Sequence, residues 1–453
     1  MKKKRFTYAK GDIMKPFISC LLICVMVLFT GCGQEDSVSD SNVTTPPTSS
    51  SSESDVSETE PVGLKLVTSP YGAFNETFGK DGFYSLQTNP NGGSSILYAD
   101  YATRSAIMLC NRLECQHQDE TCPAWFPFSG GRIFLNSAQD TLFCIGEADA
   151  GEQRTETIWR MDLNGSNRRI LYQCPPRERI MDAIASDASS LYFSVYTVDY
   201  ATAAYEKNLM QVDLQTGESK PIHALNDSDW LFGACGDKLL LLYGKDTQYR
   251  YTLFSPSDGT ETEVFSFERA MEKPETSLQV APHDGYFYVF SPNEGSVFTP
   301  DGDATAQLSK IDMVSGESEV LCDDFPWFGA EHSFIQSFYD NHMIIDLHDT
   351  RENDPAKVRH YRYYIDCETG SYKESTLTYT QYALTPFVTI VAETPDCFIV
   401  SKGLYSTSIP FTDTDGSTYE RIYDVPDYAF IAKEDFWNNI PNYQEIDYKS
   451  LLF

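Results

Sequence analysis

The stretch LMQVDLQTGESKPI (residues 209–222) decides the fold, because it reads as two strands joined by a tight turn. Hydrophobic residues lead up to an Asp, a Thr-Gly pair follows, and a second β-rich run begins. Glycine in that place supplies the positive φ that such a turn demands. The pattern recurs at residues 158–171, 308–321 and 361–375, and more loosely at 251–265.

A second unit precedes each of these stretches. It is a polar turn that leads into an apolar strand, as in GDKLLLLYG (residues 236–244), and it recurs at 80–87, 138–147, 186–196, 283–291, 339–348 and 394–403. With 96–110 and 419–432 as degenerate first and last copies, the two units alternate seven times at roughly 45–60 residues, the period of a four-stranded blade. We therefore predict an all-β fold, a β-propeller of seven four-stranded blades. Six or eight blades, a β-sandwich and a β-helix are the alternatives.

The repeats also carry a family resemblance. RMDLNGSNRRIL (residues 160–171) resembles the TolB-type and low-density-lipoprotein-receptor-like propeller repeats of bacteria. The closing YAFIAKEDFWNNIPNYQEI (residues 428–446) resembles the end of uncharacterised propeller lipoproteins from Firmicutes. The resemblance runs from about residue 64 to the end of the chain. It implies a propeller and no particular activity, since one fold hosts many functions.

The first 31 residues read as a lipoprotein signal peptide. A basic start is followed by an apolar run that is too short for a comfortable membrane span. LFTGC (residues 28–32) resembles a bacterial lipobox, with Cys32 as the lipidated residue, although Phe29 stands where Leu is usual. The alternatives are an ordinary signal peptide or a signal anchor, and a start at Met14. Acylated Cys32 would hold the protein on the outer face of the cytoplasmic membrane.

Residues 32–61 form the next predicted segment. They are rich in Ser, Thr, Asp and Glu, and they contain no basic and no aromatic residue. Such a segment cannot bury enough apolar surface to fold, so we interpret it as a flexible tether. The propeller domain is expected at residues 62–453.

The formal net charge of −32 excludes one class of partner. Nucleic-acid binding requires a basic surface, so we do not expect it. The charge suits a body held off an anionic membrane. We expect a monomer whose partners are the membrane, through the lipid, and an unknown protein, peptide or glycan.

The stretch CNRLECQHQDETC (residues 110–122) places Cys110, Cys115, His117 and Cys122 close together. Thiolate and imidazole suit tetrahedral zinc or iron, but the spacing matches no common zinc ribbon or finger. In an extracellular chain a disulfide competes with a metal, either within the cluster or to Cys144 or Cys174, and free thiols are a third alternative. We place the cluster in the connection from the first blade to the second, on the face that carries the longer loops.

Aromatic residues form a second candidate site. Calling the four strands of a blade A to D, we place the candidates in the D-to-A connections between blades: Trp125, Phe126, Trp230, Trp327 and Phe328. Gathered on one rim, they could stack sugar rings or contact a partner protein. The alternative is that each Trp fills the gap between two blades.

The stretch HMIIDLHDTREND (residues 342–354) is a third candidate. Strand alternation puts His342, Asp346 and His348 on one side. A cation or acid–base site could form from His348, Asp349, Glu352 and Asp354. The alternative is a solvated loop. FTDTDGSTYE (residues 411–420) resembles part of a calcium loop but lacks its spacing of acidic ligands, so we interpret it as an ordinary turn.

Motifs of several enzyme classes are absent from the sequence. It contains no G-x-S-x-G elbow, P-loop, H-E-x-x-H or dinucleotide fingerprint. We therefore predict a binding protein rather than an enzyme. The alternatives are a carbohydrate-active hydrolase or lyase that works at the propeller channel, and an envelope-assembly or sensory scaffold.

Overall fold

The computed structural model describes twelve stretches of the chain: residues 63–68, 75–89, 92–110, 112–150, 153–199, 204–269, 277–296, 304–329, 332–352, 357–381, 384–412 and 417–446. The predicted signal peptide and the whole predicted tether, including Cys32, lie outside these residues, as do Asp354 and residues 413–416 of the calcium-like stretch. Within them no helix has the length and apolarity to cross a bilayer. The described chain forms seven four-stranded sheets in a ring, so the predicted seven-bladed β-propeller is confirmed.

Each blade is built from four consecutive antiparallel strands. Blade 1 has β2 (Glu76–Phe78), β3 (Gly82–Thr88), β4 (Ser94–Asp100) and β5 (Ala106–Met108), with β6 (Trp125–Phe126) also pairing with β4. Blade 2 has β7 (Arg132–Leu135), β8 (Thr141–Ala150), β9 (Gln153–Asp162) and β10 (Arg169–Gln173). Blade 3 has β11 (Glu178–Ser186), β12 (Ser190–Asp199), β13 (Ala204–Asp213) and β14 (Ser219–Leu225), joined by β1 (Lys65–Leu66).

The remaining blades follow the same order. Blade 4 has β15 (Trp230–Cys235), β16 (Lys238–Lys245), β17 (Gln248–Phe254) and β18 (Glu261–Glu268). Blade 5 has β19 (Gln279–His283), β20 (Tyr286–Pro292), β21 (Thr305–Asp312) and β22 (Ser318–Pro326). Blade 6 has β23 (Ser333–Tyr339), β24 (His342–Asp349), β25 (Arg359–Asp366) and β26 (Tyr372–Glu374). Blade 7 has β27 (Thr389–Glu393), β28 (Cys397–Thr412), β29 (Thr418–Ala432), the short helix α1 (Lys433–Trp437) and β30 (Gln444–Glu445).

The turn between strands C and D explains the sequence repeat. In blade 3 the Asp213 carboxylate accepts hydrogen bonds from the backbone N–H groups of Gln215 (2.9 Å) and Thr216 (2.7 Å). Gly217 has φ +77° and donates its N–H to the Asp213 carbonyl at 3.0 Å. Asp312 and Asp366 repeat the arrangement in blades 5 and 6. The Asp therefore organises the turn, and the glycine provides its left-handed residue.

An up-and-down blade has two distinct ends. The A-to-B and C-to-D turns lie together on what we call the turn face, as in residues 187–189 and 214–218 of blade 3. The B-to-C hairpins and the D-to-A connections lie on the opposite side, the hairpin face. The first strands of several neighbouring blades contact one another, so strand A is innermost in each blade.

The strand β1 was not predicted. It pairs antiparallel with the inner strand of blade 3, with Lys65 opposite Ser186 and Leu66 opposite Ala185, and it also contacts β15 of blade 4. Leu64 is buried in the core that blades 3 and 4 share. The Thr68 hydroxyl accepts a hydrogen bond from the backbone of Ile184 at 2.8 Å. The segment before blade 1 thus lies along the central channel.

Among the described residues, blades 7 and 1 share no strand where the ring closes. Side chains of both blades form one hydrophobic cluster, in which the rings of Phe83 and Tyr428 lie 5.6 Å apart. The Tyr428 hydroxyl donates to the Glu76 carboxylate. Burial raises the pKa of Glu76. Side-chain packing, not strand exchange, therefore joins the first blade to the last.

Candidate functional site

The cysteine cluster lies in an interruption of the outer strand of blade 1. β5 pairs with residues 97–99 of β4, and β6 pairs with residues 94–95. Two short pieces thus divide the edge of β4 between them, and the chain leaves the sheet in between. We call residues 109–124 the cysteine loop. The cluster follows β5, the fourth strand of blade 1, and precedes β7 of blade 2, so it lies in the predicted connection from the first blade to the second.

The four candidate ligands converge in this loop. One donor atom from each of Cys110, Cys115, His117 and Cys122 lies within 4.8 Å of every other. His117 Nδ1 is 3.3 Å from Cys122 Sγ. Zinc at its usual bond lengths holds tetrahedral donors roughly 3.4–3.8 Å apart, so small side-chain adjustments would complete such a site. This cluster could therefore hold a metal ion.

Tight turns fold the loop so that its donors face inward. The N–H of Cys115 donates to the Arg112 carbonyl at 3.2 Å, and the N–H of Cys122 donates to the Asp119 carbonyl at 3.0 Å. His117 has φ +53°, a left-handed conformation that is uncommon outside glycine. This backbone brings together side chains that are between two and twelve positions apart in the sequence.

The base of the loop rests on blade 2. The Arg168 guanidinium donates to the carbonyl oxygens of Pro123 (3.3 Å) and Trp125, and it lies 4.8 Å from the centre of the Phe126 ring. Arg168 belongs to the C-to-D turn of its blade, so the loop lies at the outer edge of the ring, within reach of the turn face. Farther out, Leu113 is 93% exposed. The loop thus has an anchored base and a solvated tip.

The electrostatics of the cluster depend on burial. Burial raises the pKa of Cys122 to about 12. A hydrogen bond from the His117 backbone lowers the pKa of Cys115, and burial lowers the pKa of the His117 ring. Metal ligation requires thiolates and a neutral imidazole. His117 meets that condition, and a bound cation would supply the positive charge that stabilises the Cys122 thiolate.

The nature of the donors limits the chemistry. Four protein ligands fill a tetrahedral coordination sphere, which is typical of a structural zinc site and leaves no open position for substrate. The nine described cysteines are all free thiols, and Cys144 and Cys174 are both buried. The cluster could therefore hold a metal ion, and a disulfide in the loop stays a prediction.

The three Trp residues do not form one platform. Each lies at a different joint, between blades 1 and 2, 3 and 4, or 5 and 6. Trp327 is 0% exposed and stacks on Phe290 at 5.3 Å, so its ring offers no face to a ligand. Trp125 is half-buried against Gly93, and Trp230 is 41% exposed with the Lys207 ammonium 4.3 Å from its ring centre.

The two phenylalanines proposed for the same rim are also packed against protein. Phe126 is fully buried, and its ring lies 5.5 Å from that of Trp159. Phe328 is half-buried beneath the Arg351 guanidinium, which lies 4.7 Å from its ring centre. Ligand binding by Trp125 and Trp230 stays a prediction, and Trp327 matches the alternative in which Trp fills the gap between blades.

His348 borders a cavity on the hairpin side of blade 6. Asp346 lines the same cavity, as strand alternation predicted, whereas His342 lies at the other end of β24 and stacks on Trp437. The acidic residues after the strand are not free. The Arg351 guanidinium contacts Asp349 at 2.8 Å, and Lys357 contacts Glu352 at 2.5 Å. A cation site built from His348 with these carboxylates therefore loses two of its ligands to internal ion pairs.

Sequence reasoning missed two residues of this cavity. His360 lies opposite His348 in the neighbouring strand, with ring centroids 4.4 Å apart, and Glu374 follows on β26. Once the repeat had assigned β24 and β25 as a hairpin, counting back from the Asp366 turn would have paired the two histidines. The nine-residue connection between the strands (residues 350–358), which contains acidic residues, hid that register.

Comparison with known proteins assigns no family. No protein-family model matches the chain, and no curated protein matches it. Among solved structures, an oligogalacturonate lyase in complex with manganese is 17% identical over 81% of this chain and 92% of its own, with a TM-score of 0.41. TolB from Acinetobacter baumannii is 14% identical over 76% and 80%, with a TM-score of 0.30. An acylaminoacyl peptidase in complex with Z-Gly-Gly-Phe-chloromethyl ketone is 11% identical over 80% and 58%, with a TM-score of 0.42.

Proposed function

We propose that this chain is a lipid-anchored, extracytoplasmic β-propeller that binds a ligand without converting it, and that a structural zinc ion holds its cysteine loop. The observation that carries the zinc assignment is the convergence of four soft donors within 4.8 Å. The LFTGC motif at Cys32 supports the anchor. Replacing Cys32 by Ser tests it, since the variant should partition into the aqueous phase and the wild type into detergent.

Zinc fits the donor set better than the alternatives. Three thiols cannot all pair within the loop, and the imidazole of His117 lies 3.3 Å from Cys122 Sγ, where a disulfide would have no use for it. Zinc accepts mixed sulfur and nitrogen ligands in a tetrahedron and has no redox chemistry. The same closed geometry assigns the ion a structural role, which is to hold the loop on the edge of the ring.

Binding without catalysis is supported by the state of the carboxylates near the cavity. Asp346 is held by the Arg362 guanidinium at 2.6 Å, and Asp349 is held by Arg351. Glu374 is then the one described carboxylate of the cavity without an ion pair, whereas glycoside hydrolysis canonically uses a pair of carboxyl groups. The alternative is a hydrolase or lyase with its site in the channel. It is less well supported, because β1 occupies the inner edge of blade 3 in that channel.

The zinc assignment is tested by metal analysis of the full chain purified without chelator. We expect about one zinc per chain, as a four-ligand structural site binds stoichiometrically. Cys115→Ser and Cys122→Ser should lose nearly all of it. Cys397→Ser, a half-buried cysteine of blade 7, is the matched control and should retain it. A metal-free wild type with a disulfide among Cys110, Cys115 and Cys122 would overturn the assignment.

A further inference from the structure

A cavity with polar side chains lies on the hairpin side, where blade 6 meets blade 7. It has a volume of about 710 Å³ and is lined by strands β24, β25 and β26 and by residues 375–378 and 384–387. Cavities of roughly 300–1,000 Å³ are the usual size for small-molecule sites. Nothing in the cysteine loop contributes to it. It is therefore a separate candidate for the ligand that the proposed function requires.

One wall of the cavity is rigid. The Arg362 guanidinium binds both oxygens of Asp346, at 2.6 and 2.8 Å, and also donates to the carbonyl oxygen of Val388 at 2.9 Å. Its centre lies 5.0 Å from the ring of Phe387. These bonds tie blade 6 to the start of blade 7. They also neutralise Asp346, whose carboxylate can still accept a hydrogen bond from a ligand.

Two imidazoles stand beside that wall. His348 and His360 are opposite each other in β24 and β25, and their rings meet edge to face at 81°. Burial lowers the pKa of His348, and the proximity of His360 adds to this effect. Both rings are directional groups, since a neutral imidazole offers one donor and one acceptor. They can therefore bind a hydroxyl group through either its hydrogen or its oxygen.

The opposite wall mixes hydroxyl groups with apolar surface. Thr376, Thr378 and Thr385 are exposed, and Leu384 is 67% exposed beside them. Glu374 is exposed at the edge. Among the described lining residues it is the one carboxylate without an ion pair, and no unpaired lysine or arginine lines the cavity. A strongly anionic ligand would therefore find little positive charge to bind.

We propose that this cavity binds a neutral carbohydrate. A sugar presents hydroxyl groups at its edge and C–H groups on its faces, which matches imidazoles, carboxylates and threonines next to Leu384 and Phe387. A flat heteroaromatic ligand fits less well, because the Arg362 guanidinium already lies over Phe387. The proposal rests on the binding function above and names its ligand class.

The test uses the full chain in detergent micelles on an array of neutral, uronic-acid-containing and sialylated glycans. Affinity for the best neutral hit is then measured by calorimetry for His360→Ala and Glu374→Gln, two exposed positions. Each should weaken binding about fivefold to tenfold, as expected for one lost hydrogen bond. Glu317→Gln, in an exposed turn of blade 5, is the control and should bind as the wild type does.

Several outcomes would overturn the cavity assignment. They are no binding of any neutral glycan, a preference for acidic glycans, and full affinity in both cavity variants. Neutral-glycan binding that survives both variants but is lost in Trp230→Ala would move the site to the joint between blades 3 and 4 and leave the binding function standing. Release of shortened glycans by the wild type would instead contradict the proposed non-enzymatic function.

Discussion

Two joints of the ring differ in how the space between neighbouring blades is filled. Between blades 5 and 6 the chain passes from β22 to β23 in a few residues, and Trp327 fills the gap with a ring that is 0% exposed. Between blades 1 and 2 the outer strand breaks at Met108, resumes at Trp125, and sends the cysteine loop outward. The first joint is filled by protein side chains, and the second brings four candidate metal ligands together.

The difference follows from composition. Trp327 stacks on Phe290, and its backbone N–H donates to the Ala304 carbonyl at 3.0 Å, so one residue provides both packing and a hydrogen bond. Residues 112–121 contain one large apolar side chain, Leu113, and it points into solvent. A loop that cannot bury apolar surface needs another source of order. The proposed zinc ion would order the loop without a larger hydrophobic core.

The largest expected effect breaks the apolar joint. Trp327→Ala should lower the free energy of unfolding by roughly 3–5 kcal/mol, because it empties a fully buried site between two blades. Trp230→Ala, at an exposed ring, should cost less than about 1 kcal/mol. Denaturant unfolding followed by circular dichroism measures both. Equal losses in the two variants would show that burial does not distinguish these joints.

The next effect is a change in protease sensitivity that is confined to the joint between blades 1 and 2, where the zinc site is proposed. A zinc chelator should raise the rate of tryptic cleavage after Arg112 about tenfold or more, because the loop tip then opens without unfolding the ring. The rate after Lys238, at the start of strand β16, should not change. Mass spectrometry of the fragments over time gives both rates. Unchanged cleavage after Arg112 would mean that turns and Arg168 suffice to hold the loop.

The smallest expected effect is a difference in stability between two glycine-to-alanine variants, one at each joint on the turn face. Gly370 of blade 6 has φ +70°, and a Cβ there would lie 2.2 Å from the Leu321 carbonyl oxygen. Gly165 of blade 2 has φ +78°, and a Cβ there would lie 3.1 Å from the Leu109 carbonyl oxygen. Alanine should cost about 1 kcal/mol at Gly165 and about 1–2 kcal/mol more at Gly370.

The control for that comparison is Gly316→Ala, which has φ +73° and open space around the position of a Cβ. It isolates the cost of the left-handed backbone from that of the clash. Thermal denaturation of the three variants should rank Gly370 above Gly165, with Gly165 close to Gly316. A reversed order would mean that the blade 1–2 joint is the more tightly packed of the two.

Local signals in the sequence predicted the blades well. The Asp213-to-Gly217 turn is specified by neighbours in the chain, so its copies predicted number, order and type of strand. β1 could not be found in this way, because Lys65 and Ser186 are far apart in sequence and two residues carry no periodicity. The break in the outer strand was hidden for the same reason, since the two residues of β6 are recognised as a strand only by their pairing with Ser94 and Ser95.

The candidate sites, like the strands, could be predicted where they depend on residues that are close in sequence. The four metal ligands are close in sequence, so their convergence could be predicted, although their unusual spacing left the disulfide open. The burial of each Trp depends on contacts with the neighbouring blade. The sequence therefore could not show that Trp327 is buried and Trp230 is exposed. His360 became visible only when the register of β24 and β25 placed it opposite His348.

The position of β1 also determines how a pulling force on the N-terminal side of the chain would act on the propeller. Lys65 pairs with Ser186 at the end of β11, so the chain enters from the turn face and runs up the inner wall toward the hairpin face. Tension applied through the N-terminal side would therefore shear β1 along blade 3. Two paired residues resist less than the ten that join β12 to β13. The segment would therefore detach from blade 3 before β12 separates from β13.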